Sequence, residues 1–191
     1  MKINQLKALD KKRNIVYIDG RIAFVLYKGD LRHYGLIEGC EISETEYDEI
    51  VNTLLPKRAL LRVSHLLEKR DYTSYQLREK LKESYYPESA IEFAINKLIG
   101  YGYVNDESFA KRYIECNINR KSEGMIKQDL VKKGISKELI QKAFDELLDD
   151  GMVQDSSALI REILKKRHYY ESEQDAKERA KQYNLTVKAY G

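Results

Sequence analysis

The chain has 191 residues, and its 34 Lys and Arg side chains nearly balance its 31 Asp and Glu side chains, leaving a formal net charge of +3. This balance argues against non-specific binding of nucleic acid through overall charge. Cys40 and Cys116 lack the short spacing of a metal site or a disulfide framework, and no apolar run has the length of a signal peptide or a membrane span. We therefore expect a soluble, cytoplasmic protein without a metal site.

The chain begins with two runs that are typical of β-strands. Residues 14–18 and 21–27 are rich in β-branched and aromatic side chains, and Asp19-Gly20 between them favours the positive φ angles of a two-residue hairpin turn. The pattern fits a hairpin or a short three-stranded sheet. A helical turn is predicted next, at residues 31–34, and Gly35 should end it.

A capping box marks the next helix. Ser43 and Glu46 have the spacing at which each side chain satisfies a backbone amide of the other. The helix is predicted to run from there to about Leu55 and to end before Pro56. Residues 1–56 are thus predicted to form an N-terminal β-hairpin unit followed by one helix.

A segment of the chain occurs twice, at a constant offset of 49 residues, as from Gly102 to Gly151. Residues 87–106 reappear as residues 136–155. The apolar positions of the two copies each follow one helix face: Ile91, Ala94, Ile95, Leu98 and Ile99 in the first, and Ile140, Ala143, Phe144, Leu147 and Leu148 in the second. Such self-similarity indicates small modules that stack on their neighbours.

We predict a mainly α fold of tandem three-helix-bundle repeats in an elongated array, with the small N-terminal β-hairpin unit. The predicted helices lie near residues 57–70, 74–84, 88–100, 106–120, 123–133, 137–149, 155–168 and 172–189. The predicted domains are the N-terminal unit (1–56), repeat 1 (57–105), repeat 2 (106–154) and an incomplete repeat 3 (155–191) that would lack its third helix.

Recurring polar pairs stand at the joints between the modules. Thr73 to Gln76 fits a capping box for the second helix of repeat 1. Asn105-Asp106 and Gln154-Asp155 are expected to cap the helices that follow them and so to set the angle between modules. Gly134 is expected to end the second helix of repeat 2.

Catalytic signatures are missing from the sequence. It contains no phosphate-binding Gly-rich loop ending in Lys-Ser/Thr, no His-Glu-x-x-His pair and no Gly-x-Ser-x-Gly elbow. The three histidines, His33, His65 and His168, lie in unrelated segments. We expect a protein that is not an enzyme and that binds no cofactor.

Clusters of basic residues are the best candidates for contacts with a partner or with nucleic acid, because similar clusters recur on similar modules. An alternative role is a solvated helix end, since Lys and Arg favour the negative end of the helix dipole. The candidate residues are Lys57, Arg58, Arg62, Arg70, Arg112, Arg120, Lys132, Lys133, Lys165, Lys166 and Arg167.

These motifs resemble those of the RecX family of bacterial RecA regulators. The resemblance is carried by residues 72–81, by residues 102–110 at the Gly-Tyr-Val-Asn-Asp joint, and by residues 130–136. The hairpin around residues 17–20 is similar to the N-terminal extension of Gram-positive members. The resemblance implies a protein that lies along the groove of a RecA–DNA filament, restrains strand exchange and the RecA ATPase, and favours filament disassembly.

The sequence departs from the family pattern at several places. Asn105 stands where the family usually has Asp, and Ser84-Tyr85-Tyr86 replaces the Lys-Gly-Ile that usually ends this helix. The third repeat of the family normally continues further than residue 191. Contacts made by that last helix are therefore in question for this sequence.

Two hypotheses of function follow. The first is a monomeric, non-enzymatic modulator of the RecA filament, with weak direct binding to DNA as a further contact. The alternative is a DNA-binding protein of tandem helix-turn-helix-like modules. The near-neutral charge and the acidic second repeat, with nine basic and eleven acidic residues in 106–155, argue against the alternative.

Overall fold

A computed structural model describes residues 1–151 together with the single residue Ile160. Apart from Ile160, the helices predicted for repeat 3 lie outside these described residues. The same is true of three candidate basic residues, Lys165, Lys166 and Arg167, and of the predicted Gln154-Asp155 cap.

The N-terminal strands form one antiparallel sheet of three strands. The strands are β1 (Ile3–Ala8), β2 (Arg13–Ile18) and β3 (Arg21–Tyr27), in the order β1-β2-β3. Asp19 and Gly20 have φ angles of 48° and 80°, so the predicted hairpin turn is confirmed. Positive φ at both central residues matches the twist of the flanking strands.

Eight α-helices follow in the described part of the chain, and the six helices predicted between residues 57 and 149 are all present. The helices are α1 (Lys28–His33), α2 (Glu44–Glu49), α3 (Leu55–Leu67), α4 (Ser74–Lys82), α5 (Glu88–Gly100), α6 (Asp106–Asn117), α7 (Glu123–Lys132) and α8 (Lys137–Asp149). The capping boxes at Ser43 and Thr73 are also confirmed.

The prediction that a helix ends before Pro56 is wrong. A π-helical segment, Ile50–Leu54, joins α2 directly to α3, and the Leu55 amide donates to the Ile50 carbonyl. Pro56 then falls in the first turn of α3. In a regular α-helix proline lacks the amide that would donate to the preceding turn, and its ring clashes with a carbonyl of that turn. The wider π turn before Pro56 accommodates the proline within the continuous helical segment.

The described residues contain two separate hydrophobic cores. The first joins the sheet to repeat 1, and in it Phe24 of β3 and Ile91 of α5 belong to one buried cluster that extends to Val104. The second lies within α6, α7 and α8, around Ile114 and Phe144. Repeat 1 therefore shares its interior with the sheet, whereas repeat 2 has an interior of its own. The division of the chain into domains stays a prediction.

The apolar helix faces are buried as predicted at four of their five positions. The fifth position, eight residues after the first, is exposed in both copies: Ile99 at 45% and Leu148 at 59%. A position eight residues on is rotated by about 80° from the first in a helix of 3.6 residues per turn. It therefore lies at the margin of the buried stripe.

Candidate partner-binding surfaces

Repeat 1 is joined to repeat 2 through the start of α4. The Thr73 hydroxyl donates to the Lys133 carbonyl at 2.5 Å. The Ser74 amide and hydroxyl donate to the two carboxylate oxygens of Asp106 at 2.8 and 2.6 Å. These three hydrogen bonds link the start of α4 to the start of α6 and to the end of α7 in the next module, and they fix the angle at which the modules meet.

Asp106 therefore has a different role from the predicted one. Asn105 caps α6 as expected, because its Oδ1 accepts from the Ser108 amide at 2.9 Å. Asp106 is the first residue of α6, and its carboxylate accepts from Ser74 instead of capping its own helix. Amides at the start of α4 have no partner within that helix, and a carboxylate there is also favoured by the helix dipole.

Gly134 packs directly against repeat 1. It ends α7 with a φ of +83°, which confirms its predicted role as a helix stop. A Cβ atom at this position would overlap the Cβ and Cγ atoms of Tyr75. The absence of a side chain at residue 134 is thus what allows the two modules to approach this closely.

Two of the predicted arginines lie beside this joint. The Arg70 guanidinium is 4.5 Å from the centre of the Tyr72 ring, and Arg112 Nη2 lies 2.9 Å from Asp71 Oδ2. Because Asp71 directly precedes Tyr72 and Thr73, the exposed pair brings Arg112 of repeat 2 to the same loop as Arg70 of repeat 1. Cation–π and exposed ionic contacts of this kind orient the side chains but contribute little to the stability of the fold.

Lys133 completes this group from the other side of the joint. Its ammonium is 5.9 Å from the ring centre of Phe109 and 5.3 Å from that of Tyr113, and the two rings are stacked. We call Arg70, Tyr72, Phe109, Arg112, Tyr113 and Lys133 the joint cluster. It combines cations with one buried aromatic residue, Tyr72, and two half-buried ones, Phe109 and Tyr113. Arg and Tyr are among the residue types that dominate binding energy at many protein interfaces.

The basic residues of α3 lie in a second place, next to the sheet. Arg58 Nη2 donates to Asp30 Oδ1 at 2.6 Å, and its guanidinium is 5.1 Å from the Tyr27 ring centre. The hydrogen bond to Asp30 is the main cause that raises the pKa of Arg58. Asp30 is only 8% exposed, so this ion pair anchors α3 to the segment after β3. Lys57, by contrast, is exposed.

Arg62 lies in a cleft between α3 and the turn that joins β1 to β2. The lining residues are Asp10, Lys11, Lys12, Arg13, Tyr27 and Arg62, and the cleft has a volume of about 370 Å³. We call it the turn–helix cleft. The sequence prediction missed its three consecutive basic residues, 11–13. The run itself is a recognisable signal, but nothing local indicates that the turn packs beside α3, about 50 residues later.

The remaining predicted cations lie apart from both groups. Arg120 is exposed just after α6. Lys132 lines a groove of about 540 Å³ between α7 and α8, with Val131, Lys137 and Ile140. The described basic candidates thus fall into the joint cluster, the neighbourhood of the turn–helix cleft, and these two separate positions.

The structure shows no membrane-spanning element among the residues it describes, since none of those helices is both long and apolar enough to cross a bilayer.

Two family models match the helical repeats. The first three-helix domain of RecX matches residues 59–98, and the second three-helix domain of RecX matches residues 105–143. The first match covers most of α3 to α5, and the second covers Asn105 and α6 to most of α8. Ser74 lies within the first matched domain and Asp106 within the second, so their hydrogen bonds join the two matched domains.

Similar proteins extend the resemblance beyond the repeats. A regulatory protein RecX of Caldanaerobacter subterraneus is 33% identical over 80% of this chain and 76% of its own length. One of Clostridioides difficile is 32% identical over 92% and 81%. One of Listeria monocytogenes is 26% identical over 83%, and this chain spans 60% of its length.

A solved structure agrees with this assignment. The crystal structure of a regulatory protein RecX matches all of this chain and 94% of its own, with 27% identity and a TM-score of 0.51. Sequence, domain models and fold agree, and the chain belongs to the RecX family of regulatory proteins.

Proposed function

We propose that this protein is a non-enzymatic, cytoplasmic regulator of the RecA recombinase that binds as a monomer along the RecA filament on DNA. It limits strand exchange and ATP hydrolysis and favours filament disassembly, and so restrains homologous recombination in DNA repair and the SOS response. Membership of the RecX family is the observation that carries the proposal. The two matched three-helix domains and their hydrogen-bonded joint supply a physical basis for it.

A modular ligand suits a repeating target. Once one module binds a filament, the next is held at high effective concentration near the neighbouring protomer, so modest contacts combine into strong binding. This gain requires a geometry that lets both modules bind together. The hydrogen bonds from Thr73 and Ser74 to repeat 2 hold the modules at one angle, so little ordering is needed on binding.

The joint cluster is our candidate for the central contact. Arg and Tyr side chains are the types most often found at binding hot spots, and here they come from both modules. Their cations favour acidic protein surfaces or phosphates, so binding should weaken as salt screens the attraction. An extended row of modules that occupies the filament groove would also exclude a second DNA strand.

The alternative of helix-turn-helix readout is disfavoured by the charge of the third helices. In a three-helix domain of that kind, the third helix enters the major groove. Helix α8 carries four acidic and two basic residues, and α5 carries two acidic residues and one basic residue. Negative helices repel the phosphates that flank the groove.

The test is a titration of the purified chain into RecA filaments on single-stranded DNA, with ATP hydrolysis and strand exchange as readouts. Both activities should fall. The double variant Arg70→Gln/Arg112→Gln should need roughly tenfold more protein for the same effect, which corresponds to about 1.4 kcal/mol of binding energy. Arg21→Gln/Arg32→Gln, an equal charge change at exposed residues, is the control. Unchanged RecA activities at saturating wild-type protein would refute the proposal.

A further inference from the structure

We propose that the turn–helix cleft binds a phosphate group of a nucleic-acid strand through Lys11, Lys12, Arg13 and Arg62. Residues 10–13, the turn of the cleft, are far from the joint cluster in sequence, although Arg62 lies only eight residues before Arg70. No family model covers this turn, since the first model begins at residue 59. The inference deepens the proposed function, on which its choice of DNA rests, but it concerns a direct contact that needs no RecA.

The charge of the cleft is strongly positive. Asp10 is the one carboxylate among the described residues that line the cleft, and it is already bound. Its Oδ1 accepts from the Lys12 and Arg13 amides at 2.8 Å each, and its Oδ2 accepts from the Arg13 guanidinium at 2.8 Å. These bonds fix the turn. Among the described residues, Lys11, Lys12 and Arg62 form no ion pair, so three cations in the cleft are not neutralised.

Two arginines that line the cleft also carry a buried N–H group without an acceptor. Arg13 Nη1 and Arg62 Nε are buried and have no hydrogen-bond partner among the described residues, and the same holds for Arg58 Nε behind the Tyr27 ring. Buried donors without acceptors are costly and call for an explanation. A phosphate offers several oxygens that guanidinium groups bind with good geometry.

The surroundings keep this positive charge in place. The Arg58–Asp30 pair fixes α3, and the Lys28 amide donates to the Lys12 carbonyl at 2.9 Å, which holds the turn against the end of β3.

Tyr86 does not offset the positive charge of the cleft. Burial, with a contribution from Tyr27, raises the pKa of Tyr86 to about 12 although three arginines oppose it. Tyr86 therefore stays neutral at physiological pH and supplies no counter-charge to Arg13 or Arg62.

A strand fits this site better than a free nucleotide does. Among the described residues that line the cleft, Tyr27 is the one aromatic residue, and the Arg58 guanidinium lies over its ring. The covered face offers no platform for stacking a base. Lys11 and Lys12 are exposed at the tip of the turn and can reach phosphates on either side of one bound in the cleft. Contacts of this kind position a strand without reading its sequence.

The experiment measures the binding of a fluorescently labelled single-stranded oligodeoxynucleotide to the full chain, without RecA, as a function of salt. Each lysine–phosphate contact adds about 0.7 to the slope of log affinity against log salt for single strands. Lys11→Gln/Lys12→Gln should therefore make the slope less steep by about 1.4. It should also weaken binding about tenfold at physiological salt. Arg62→Gln should weaken it about fourfold.

A matched control has the same charge change on the same sheet. Lys2→Gln/Lys7→Gln alters two exposed lysines outside the cleft and should leave the affinity within twofold of wild type. Thermal unfolding of each variant identifies any that fails to fold. If Arg62→Gln does not fold, the Lys11→Gln/Lys12→Gln variant still tests the proposal, because Lys11 and Lys12 are exposed and their replacement should not affect folding.

Several results would overturn the proposal. One is wild-type protein that does not bind the strand at low salt, and another is an equal loss in the cleft and control variants. If ATP displaces the strand from wild type at micromolar concentrations, the ligand is a nucleotide. If the cleft variants keep their strand affinity but lose their effect on RecA filaments, the cleft binds an acidic protein surface. The RecA titration with wild type is unaffected by any of these results.

Discussion

The two described repeats have the same helix pattern but different surroundings. Ile91 and Ile140, 49 residues apart, occupy the same place on α5 and α8, and both are buried. In repeat 1 this face is part of a core shared with the sheet, whereas in repeat 2 it closes a core of three helices alone. The repeated apolar pattern thus defines the module, and the residues outside the pattern define its neighbours.

The segments that follow the second helix of each repeat, α4 and α7, show the same contrast. Tyr85 and Gly134 occupy equivalent positions with φ of +59° and +83°. Tyr85 adopts this left-handed conformation with its side chain 43% exposed, at a cost of about 1–2 kcal/mol. At residue 134 the space is filled by Tyr75. Glycine is needed in repeat 2 because of its neighbour, and the turn alone does not require it.

The largest expected effects test whether the cores are independent. Ile91→Ala and Ile140→Ala should each lower the free energy of unfolding of their own core by about 4 kcal/mol, because each leaves a cavity. Amide hydrogen exchange should then differ. Ile140→Ala should speed exchange in α6 to α8 and leave β2 and β3 unchanged, and Ile91→Ala should speed exchange in the sheet. Faster exchange in the sheet of Ile140→Ala would contradict the separation.

A slightly smaller effect is expected at the contact between the modules. Gly134→Ala should lower the free energy of unfolding by about 3 kcal/mol, from left-handed strain and from overlap with Tyr75. Gly102→Ala, with φ of +75° and open space around it, should cost about 1 kcal/mol, the strain alone.

A double variant separates the two causes. Tyr75→Gly removes the Cβ that residue 134 would meet, so Tyr75→Gly/Gly134→Ala should lose less stability than the sum of its single variants. Chemical denaturation measures the four free energies. Additive losses would mean that overlap with Tyr75 is not what excludes a side chain at residue 134.

The hydrogen bonds of the joint should contribute less. Asp106→Ala leaves two half-buried donors of Ser74 without a charged acceptor, and we expect a loss of about 2 kcal/mol. Asn105→Ala removes a cap of α6 and should cost about 1 kcal/mol. Only the Asp106 variant should show coupling with Ser74→Ala in a double-mutant cycle. A coupling energy near zero would show that the joint does not depend on this contact.

These sites also show what the sequence could and could not predict. The caps at Thr73 and Asn105 were predictable because donor and acceptor lie within four residues. The bond between Ser74 and Asp106 joins residues 32 positions apart, and a cap was the simpler local interpretation of Asp106. At Pro56 the local signal itself gave the wrong prediction. Proline usually ends a helix, but the π turn before Pro56 accommodates it within a continuous helical segment.

For the candidate surfaces, too, the sequence predicts local features but not contacts between distant residues. Basic residues could be chosen from their clustering on α3 and at helix ends, but their grouping depends on contacts between distant segments. Arg70 and Arg112 lie at the same loop because Arg112 pairs with Asp71, and Arg62 meets the turn of residues 11–13 in the turn–helix cleft. The helical period predicts which side chains are exposed. It does not predict which exposed side chains of different modules share one surface.

The smallest expected effect concerns pH and a pair of equivalent positions. Tyr72 and Lys80 of repeat 1 form a cation–π contact of 5.6 Å. The equivalent residues of repeat 2 are Lys121 and Asp129, whose Nζ and Oδ2 atoms are 2.7 Å apart. The hydrogen bond from Lys121 lowers the pKa of Asp129, with further help from the Tyr113 hydroxyl and the charge of Lys132.

The sign of the pH dependence follows from that lowered pKa. The stabilisation is complete above the unfolded pKa of Asp, about 3.9, and is lost as pH falls through the lower folded value. Since the pair is partly exposed, the loss should stay below about 1 kcal/mol. The equivalent pair of repeat 1 contains no carboxylate. Lowering the pH from 6 to 3 should therefore destabilise α6 to α8 more in wild type than in Asp129→Asn, as measured by hydrogen exchange. Parallel losses in the two proteins would show that the ion pair contributes nothing to the difference between the repeats.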